Sequence, residues 1–213
     1  MNAFDYFFQN TSQLDKPFLV GKEEISFGEL YNSSIKLASW IRQELGKKNN
    51  ILLLSVNNKF FLNAYLAIIK SGNICIPLDP NIEKANFKYI SQLTNPALIF
   101  LTKDIEKNLN LHQYECVYPE TEFYKKNEKI EEFESHKHFN IDECAEIIFT
   151  SGSTGKPKGV MISHKNLIAN TESIIEYLDI SEKDRMLVVL PFYYCYGLSL
   201  LHTHLRIGGS IVF

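Results

Sequence analysis

The chain has 213 residues, with 22 Lys and Arg against 25 Asp and Glu, and its formal charge of -3 offers no basic surface for nucleic acid. A content of 45% hydrophobic and 22% charged residues is ordinary for a globular protein and excludes a disordered, charge-heavy one. The four cysteines (Cys75, Cys116, Cys144 and Cys195) form no C-x-x-C pair and read as reduced thiols. Met1 to Asn10 lacks the basic start and apolar run of a secretion signal, and the longest apolar stretches, Ile51 to Val56 and Met186 to Phe192, are too short for a bilayer. A cytoplasmic protein is expected.

In chain order, the first helix start is Ser26-Phe-Gly-Glu29, where Ser26 and Glu29 can each satisfy a backbone N–H left unpaired at a helix end. Leu30, Ile35, Leu37, Ala38, Trp40, Ile41 and Leu45 follow mostly at helical spacing, and Gly46 marks the stop. Ile51 to Val56 is continuously apolar, as a strand buried on both faces of a parallel sheet must be. A helix over 59–70, a strand over 73–76, a helix over 83–93 and a strand over 97–101 continue the alternation. Such succession predicts an α/β fold with a largely parallel βαβ sheet.

From Thr102 to Asp142 the pattern weakens. The mixed charges between Tyr124 and His138 predict a solvated excursion rather than a binding patch. Order returns with a strand over 145–149, then Thr150-Ser-Gly-Ser-Thr-Gly-Lys-Pro-Lys-Gly159, a helix over 163–178, an apolar run from Met186 to Leu190, an apolar helix, a Gly208-Gly209 turn and a last strand from Ser210.

The segment from Thr150 to Gly159 has the composition of a phosphate loop. Its glycines let backbone N–H groups approach an anion, Thr150, Ser151, Ser153 and Thr154 add short donors, and Lys156 and Lys158 bring charge. A mobile surface turn would share the Gly and Ser content, but two placed lysines after a buried strand favour an anion site. The spacing of a Walker A loop is absent, and so is the Rossmann G-x-G-x-x-G, so the residues alone indicate only a polyphosphate or similar anion.

Ile148-Phe-Thr-Ser-Gly-Ser-Thr-Gly-Lys-Pro-Lys-Gly-Val160 resembles the signature of the AMP-binding, acyl-adenylate-forming family, which includes acyl-CoA synthetases and peptide-synthetase adenylation domains. Ile25 to Leu30, Lys70-Ser-Gly-Asn-Ile-Cys-Ile-Pro-Leu-Asp-Pro80 and Leu190-Pro-Phe-Tyr-Tyr-Cys-Tyr-Gly-Leu198 agree with it in the same order. The resemblance implies a carboxylic acid activated by ATP with Mg²⁺ to an acyl-AMP, then passed to CoA or to the phosphopantetheine of an acyl carrier protein. It implies that Thr150, Ser151, Gly152, Ser153, Thr154, Gly155, Lys156 and Lys158 hold the ATP phosphates, with Lys158 as the charge contact. Phe192, Tyr193, Tyr194 and Gly197 become acyl-pocket candidates, although core packing explains Tyr193 and Tyr196 equally well.

The family's amino-acid-activating members follow the aromatic residue with an Asp that pairs the substrate ammonium. Here Tyr193 follows Phe192, and Tyr194 stands where many acyl-CoA ligases have a His, which favours a fatty or aryl acid. The resemblance finds no counterpart of the family's adenine-stacking segment, Mg²⁺-binding acid, ribose-binding Asp or carboxy-terminal domain with its catalytic lysine. The expectation is therefore a truncated amino-terminal part of the large domain, inactive alone. Residues 50–185 would form its main subdomain, and 1–46 with 186–213 parts of a second, incomplete one. A non-catalytic phosphate-ligand-binding or assembly module is the alternative; a phosphotransferase is disfavoured because no catalytic Asp or His motif accompanies the loop.

No metal site is expected from this chain alone. The pairs His136 and His138, and His202 and His204, have no carboxylate or cysteine at ligand spacing, and the second pair would point to different sides of a helix. His164 is expected on the surface of its helix's first turn. Asp79 is expected to be a turn residue without a catalytic role.

Overall fold

The computed structural model describes residues 1–111, 113–118, 140–150 and 156–213. Six strands form one sheet: β3 (Asn50–Leu54), β4 (Ile74–Leu78), β5 (Leu98–Leu101), β6 (Cys116–Val117), β7 (Cys144–Thr150) and β8 (Lys158–Ser163), in the order β6-β5-β3-β4-β7-β8. All neighbours are parallel except β7 and β8, which pair antiparallel at the edge. Helices α3 (Lys59–Ser71) and α4 (Lys84–Thr94) connect the central strands, and α5 (Lys103–Leu109) precedes β6. The α/β fold expected from the sequence is present, with α5 and β6 lying inside the stretch whose periodicity was too weak to reveal them. The charged run 124–138, with His136 and His138, lies outside the described residues.

The continuous apolar run of β3 has a simple cause. Successive side chains leave a strand on opposite faces, and here both faces are covered. Ile51 and Leu53 join Cys75, Leu98 and Phe100 in the larger core, beneath α3 and α2 (Phe27–Leu45). Leu52 and Leu54 join Ile76, Ile99 and Leu101 in a second core, under Phe87 and Ile90 of α4 and Ile105 of α5. Each such side chain contributes about 1.5–3 kcal/mol through burial, so a polar residue at either phase would be costly. The predicted cap of α2 forms as expected: Ser26 N–H donates to Glu29 Oε2 at 2.8 Å and Glu29 N–H to Ser26 Oγ at 3.2 Å.

A second, four-stranded sheet joins the two ends of the chain in the order β2-β1-β10-β9, built from β1 (Pro17–Val20), β2 (Ile25–Ser26), β9 (Arg185–Leu187) and β10 (Ser210–Val212). β10 runs parallel to both β1 and β9, with Leu19 opposite Ile211 and Met186 opposite Ile211 on the other side. Helices α1 (Ala3–Phe7), α6 (His164–Leu178) and α7 (Cys195–Ile207) complete the elements of the described residues. Thr11 Oγ1 donates to the Leu205 carbonyl at 3.1 Å, and Lys70 of α3 pairs with Asp5 of α1 at 2.5 Å, so the amino-terminal segment is fastened to both α7 and α3. Among the described residues no helix is long and apolar enough to cross a membrane.

Candidate functional site

The signature segment lies on the β7–β8 hairpin. Phe149 pairs with Gly159 and Thr150 with Lys158, and the Thr150 hydroxyl donates to the Lys158 carbonyl at 3.5 Å. Thr150 and Lys158 therefore stand opposite each other at the hairpin's open end, both exposed, with the loop between them. Ser151, Gly152, Ser153, Thr154 and Gly155 lie outside the described residues. Lys156 is exposed, and its ammonium sits over the ring of Tyr89 on α4 at 5.6 Å, a cation–π distance. Gly159 has a packing role: a Cβ there would come within 2.9 Å of Ile147 Cγ2 and 3.1 Å of Phe149 Cζ. Its small size lets those two side chains lie across the hairpin.

The segment from Leu190 to Gly197 approaches the carboxyl ends of β3 and β4, on the side of the sheet where β7 also ends. That edge is where open α/β sheets place ligands, because loops and helix starts leave the strands there. Asn57, in the loop after β3, accepts from the Phe192 N–H at 2.9 Å and donates to the Leu190 carbonyl at 3.0 Å. Asp79, directly after β4, caps its own turn by accepting from the Asn81 N–H at 2.8 Å, as expected of a turn residue. Its carboxylate also acts on the phenol of Tyr193, which burial first and this neighbouring charge second push up to about 12. The rings of Tyr193 and Tyr194 are 4.8 Å apart, and Tyr194 is 53% exposed.

Two acyl-pocket candidates have structural duties. Phe192 is fully buried, its ring 5.3 Å from that of Phe61 and 5.8 Å from that of Phe213, so it can shape a pocket only through the tyrosines it carries. At Gly197 a Cβ would lie 2.3 Å from the Pro191 carbonyl oxygen, so only glycine lets the first turn of α7 close on the segment before it. Tyr193 is half-buried and Tyr196 is exposed, so neither is a core residue here.

His164 departs from its expected surface position. It is buried, accepts the Ala3 N–H on Nδ1 at 3.2 Å, and is held down to about 4 by burial. Position alone suggested exposure, since His164 opens α6, but α1 covers that turn. His202 and His204 do point to different partners: His202 Nε2 lies 2.7 Å from the Tyr65 hydroxyl, and His204 Nδ1 lies 2.9 Å from the Leu200 carbonyl. Tyr65 also donates to Glu146 Oε2 at 2.7 Å. Asn57, Tyr65 and Glu146 carried no motif in the sequence; Glu146 alone had a signal, a charge inside the apolar strand Ala145 to Phe149. Among the described residues no group of three or more His, Cys, Asp or Glu is placed to hold a metal ion.

The family model described as AMP-binding enzyme matches residues 7–213. The chain is 30% identical over 194 residues to the D-alanine--D-alanyl carrier protein ligase of Streptococcus equi, covering 89% of this chain and 37% of that protein. It is 26% identical over 189 residues to nonribosomal peptide synthetase 4 of Gibberella zeae, covering 88% of this chain and 2% of that protein. The chain thus spans well under half the length of these curated relatives. Among solved structures, ATP-bound MatB from Rhodopseudomonas palustris superposes with a TM-score of 0.84 at 21% identity, over 100% of this chain and 45% of that one. VinN superposes with a TM-score of 0.89 at 16% identity, over 100% and 56%. At these identities the structures establish the shared fold, and the model match over nearly every residue establishes the family: the chain belongs to the AMP-binding enzymes.

Proposed function

We propose that this chain forms the phosphate-binding and acyl-binding part of an ATP-dependent carboxylic acid:thiol ligase. The observation that carries the reading is the placement, at one edge of the parallel sheet, of the hairpin that bears the ends of the signature and of the segment held by Asn57. In the reaction, a carboxylate oxygen attacks the α-phosphorus of ATP, the bridging P–O bond breaks and pyrophosphate leaves with its electron pair. A thiolate then attacks the acyl carbon and AMP departs. Thr150 and Lys158, at the two ends of the loop, would orient the β- and γ-phosphates and offset charge gathering on the leaving oxygens, with Lys156 in support. Mg²⁺ would arrive with the nucleotide rather than on ligands of this chain.

Tyr193 and Tyr194 present an aromatic wall suited to a fatty or aryl acid, with CoA or a carrier-protein phosphopantetheine as the acceptor thiol. The likeness to a carrier-protein ligase supports the carrier. A second reading of the substrate rests on Asp79, whose carboxylate beside Tyr193 could pair the ammonium of a small amino acid such as D-alanine. The four free cysteines fit a reducing cytoplasm.

The test is acid-dependent ATP–pyrophosphate exchange, run on this chain and on the complete product of its gene, with aliphatic acids, aryl acids and D-alanine. We expect exchange from the complete product and none from the 213 residues alone. Binding of ATP by the complete product without exchange under any acid would favour the non-catalytic module instead.

A further inference from the structure

Glu146 lies on β7 four residues before Thr150, and His202 lies on α7 five residues after Gly197. Tyr65 of α3 stands between them, its hydroxyl 2.7 Å from Glu146 Oε2 and 2.7 Å from His202 Nε2. All three are buried, with Glu146 and His202 each 2% exposed. Phe7 stacks on the His202 ring at 4.5 Å and 11° between planes, and the Tyr65 ring lies 5.6 Å from the imidazole, which holds it in place.

A phenol has one proton to donate, so with two partners at bonding distance one of them must donate to it. Two arrangements satisfy all three groups. With Glu146 ionised, Tyr65 donates to the carboxylate, and His202, protonated on Nε2 alone, donates to the phenol oxygen. With Glu146 protonated, the carboxyl O–H donates to the phenol oxygen, Tyr65 donates to Nε2, and the imidazole proton sits on Nδ1. The second state contains one more proton, taken from solvent by the carboxyl group. The imidazole stays neutral in both, and no bond between heavy atoms changes.

We propose that Tyr65, Glu146 and His202 form a two-state hydrogen-bond chain that reverses direction when Glu146 takes up a proton, and that it sets the placement of the β7–β8 hairpin relative to α7. The three are positioning residues, and this role rests on the reading of hairpin and α7 as two sides of one site. Burial raises Glu146 to about 7 against the lowering effect of the Tyr65 bond, whereas burial holds His202 down to about 3. Glu146 is thus the member that changes charge near neutrality. The other titratable groups facing it are Cys75, its register partner on β4, and Cys144 on its own strand. Burial pushes both thiols up, so they remain neutral. Among the described residues no ion pair joins a cation to Glu146.

The test is nitrogen NMR of the His202 ring between about pH 5 and about pH 9, with histidine labelled in the chain. We expect the Nδ1–H form at low pH and the Nε2–H form at high pH, with a midpoint of about 7. Glu146→Gln, which keeps the shape and cannot titrate, should abolish that transition, and Tyr65→Phe should uncouple His202 from it. The backbone amides of Lys158 and Gly197 should move with the same midpoint in the parent chain and stay flat in Glu146→Gln. A His202 tautomer constant with pH, or one that still switches in Glu146→Gln, overturns the chain. Flat Lys158 and Gly197 amides beside a switching His202 overturn the positioning role. These readouts use no substrate, so a failure of the ligase reading in the exchange assay leaves them independent.

Discussion

Asn57 accepts a hydrogen bond from the backbone N–H of Phe192 at 2.9 Å, joining positions 135 residues apart. The same carboxamide donates to the Leu190 carbonyl, so one side chain matches both the donor and the acceptor of an irregular segment. Asn57→Ala leaves both groups without it. Because Asn57 is only half-buried, water can replace part of the loss, and the expected cost is about 1 kcal/mol, the low end for such bonds. Urea unfolding measures it, and faster hydrogen exchange at the Phe192 amide locates it. An unchanged exchange rate would show that the clamp does not hold the segment.

Gly197→Ala should be the more damaging change. Its Cβ would meet the Pro191 carbonyl oxygen at 2.3 Å, and that oxygen already accepts the Tyr194 N–H at 3.2 Å, so the backbone on one side must move. Overpacking of this kind costs roughly 1–3 kcal/mol. Gly28→Ala in α2 is the matched control, since its nearest contact would be Leu14 O at an ordinary 3.7 Å. It should be neutral or stabilising by up to about 1 kcal/mol. Equal unfolding midpoints for the two variants would contradict the close approach at α7.

Buried titratable groups predict an asymmetric pH dependence of stability. His164 and His202 are held to about 4 and about 3, below the ordinary 6.5, so over that interval the unfolded chain binds protons that the folded chain does not. Their contribution makes stability rise with pH and is lost on acidification. Glu146, raised from 4.5 to about 7, acts oppositely: the folded chain keeps a proton that the unfolded chain has released, so stability falls as pH rises through that range. Each unmatched proton is worth at most about 1.4 kcal/mol per pH unit. His204, also lowered by burial, acts in the same sense as those two, so melting temperature should climb between pH 4.5 and 6.5, where three histidines oppose one carboxyl. Glu146→Gln should climb more steeply, and a curve parallel to the parent's would mean that Glu146 is ionised throughout.

Lys158→Ala tests the proposed phosphate-binding role of the signature loop. In the complete gene product it should lower kcat/KM for acid-dependent exchange by about tenfold or more, the loss of one charge contact in the transition state. Because Lys158 is exposed on an edge strand, its unfolding free energy should change by no more than about 0.5 kcal/mol. An unchanged rate would make it a solvated loop residue.

Much of this was legible in the sequence. A continuous apolar run such as Ile51 to Leu54 can sit only where both faces of a strand are covered, and the Ser26 and Glu29 cap is complete within four residues. The two ends of the signature, Ile148 to Thr150 and Lys158 to Val160, pair with each other as adjacent strands, so residues close in the chain stay close in space. Helix α5 and strand β6 escaped because each is too short to display a period.

The sequence by itself determined the α/β class, the family and the position of the signature segment directly after a buried strand, because each depends on residues that are neighbours in the chain. Only the tertiary structure decided that Asn57 holds the aromatic segment, that α1 buries His164, and that Glu146, Tyr65 and His202 lie within hydrogen-bonding distance in one line. The Tyr65 contacts span 81 and 137 residues. Local periodicity reports which face of an element is apolar, and only the packing of elements reports which polar groups then meet, away from water, on the far side.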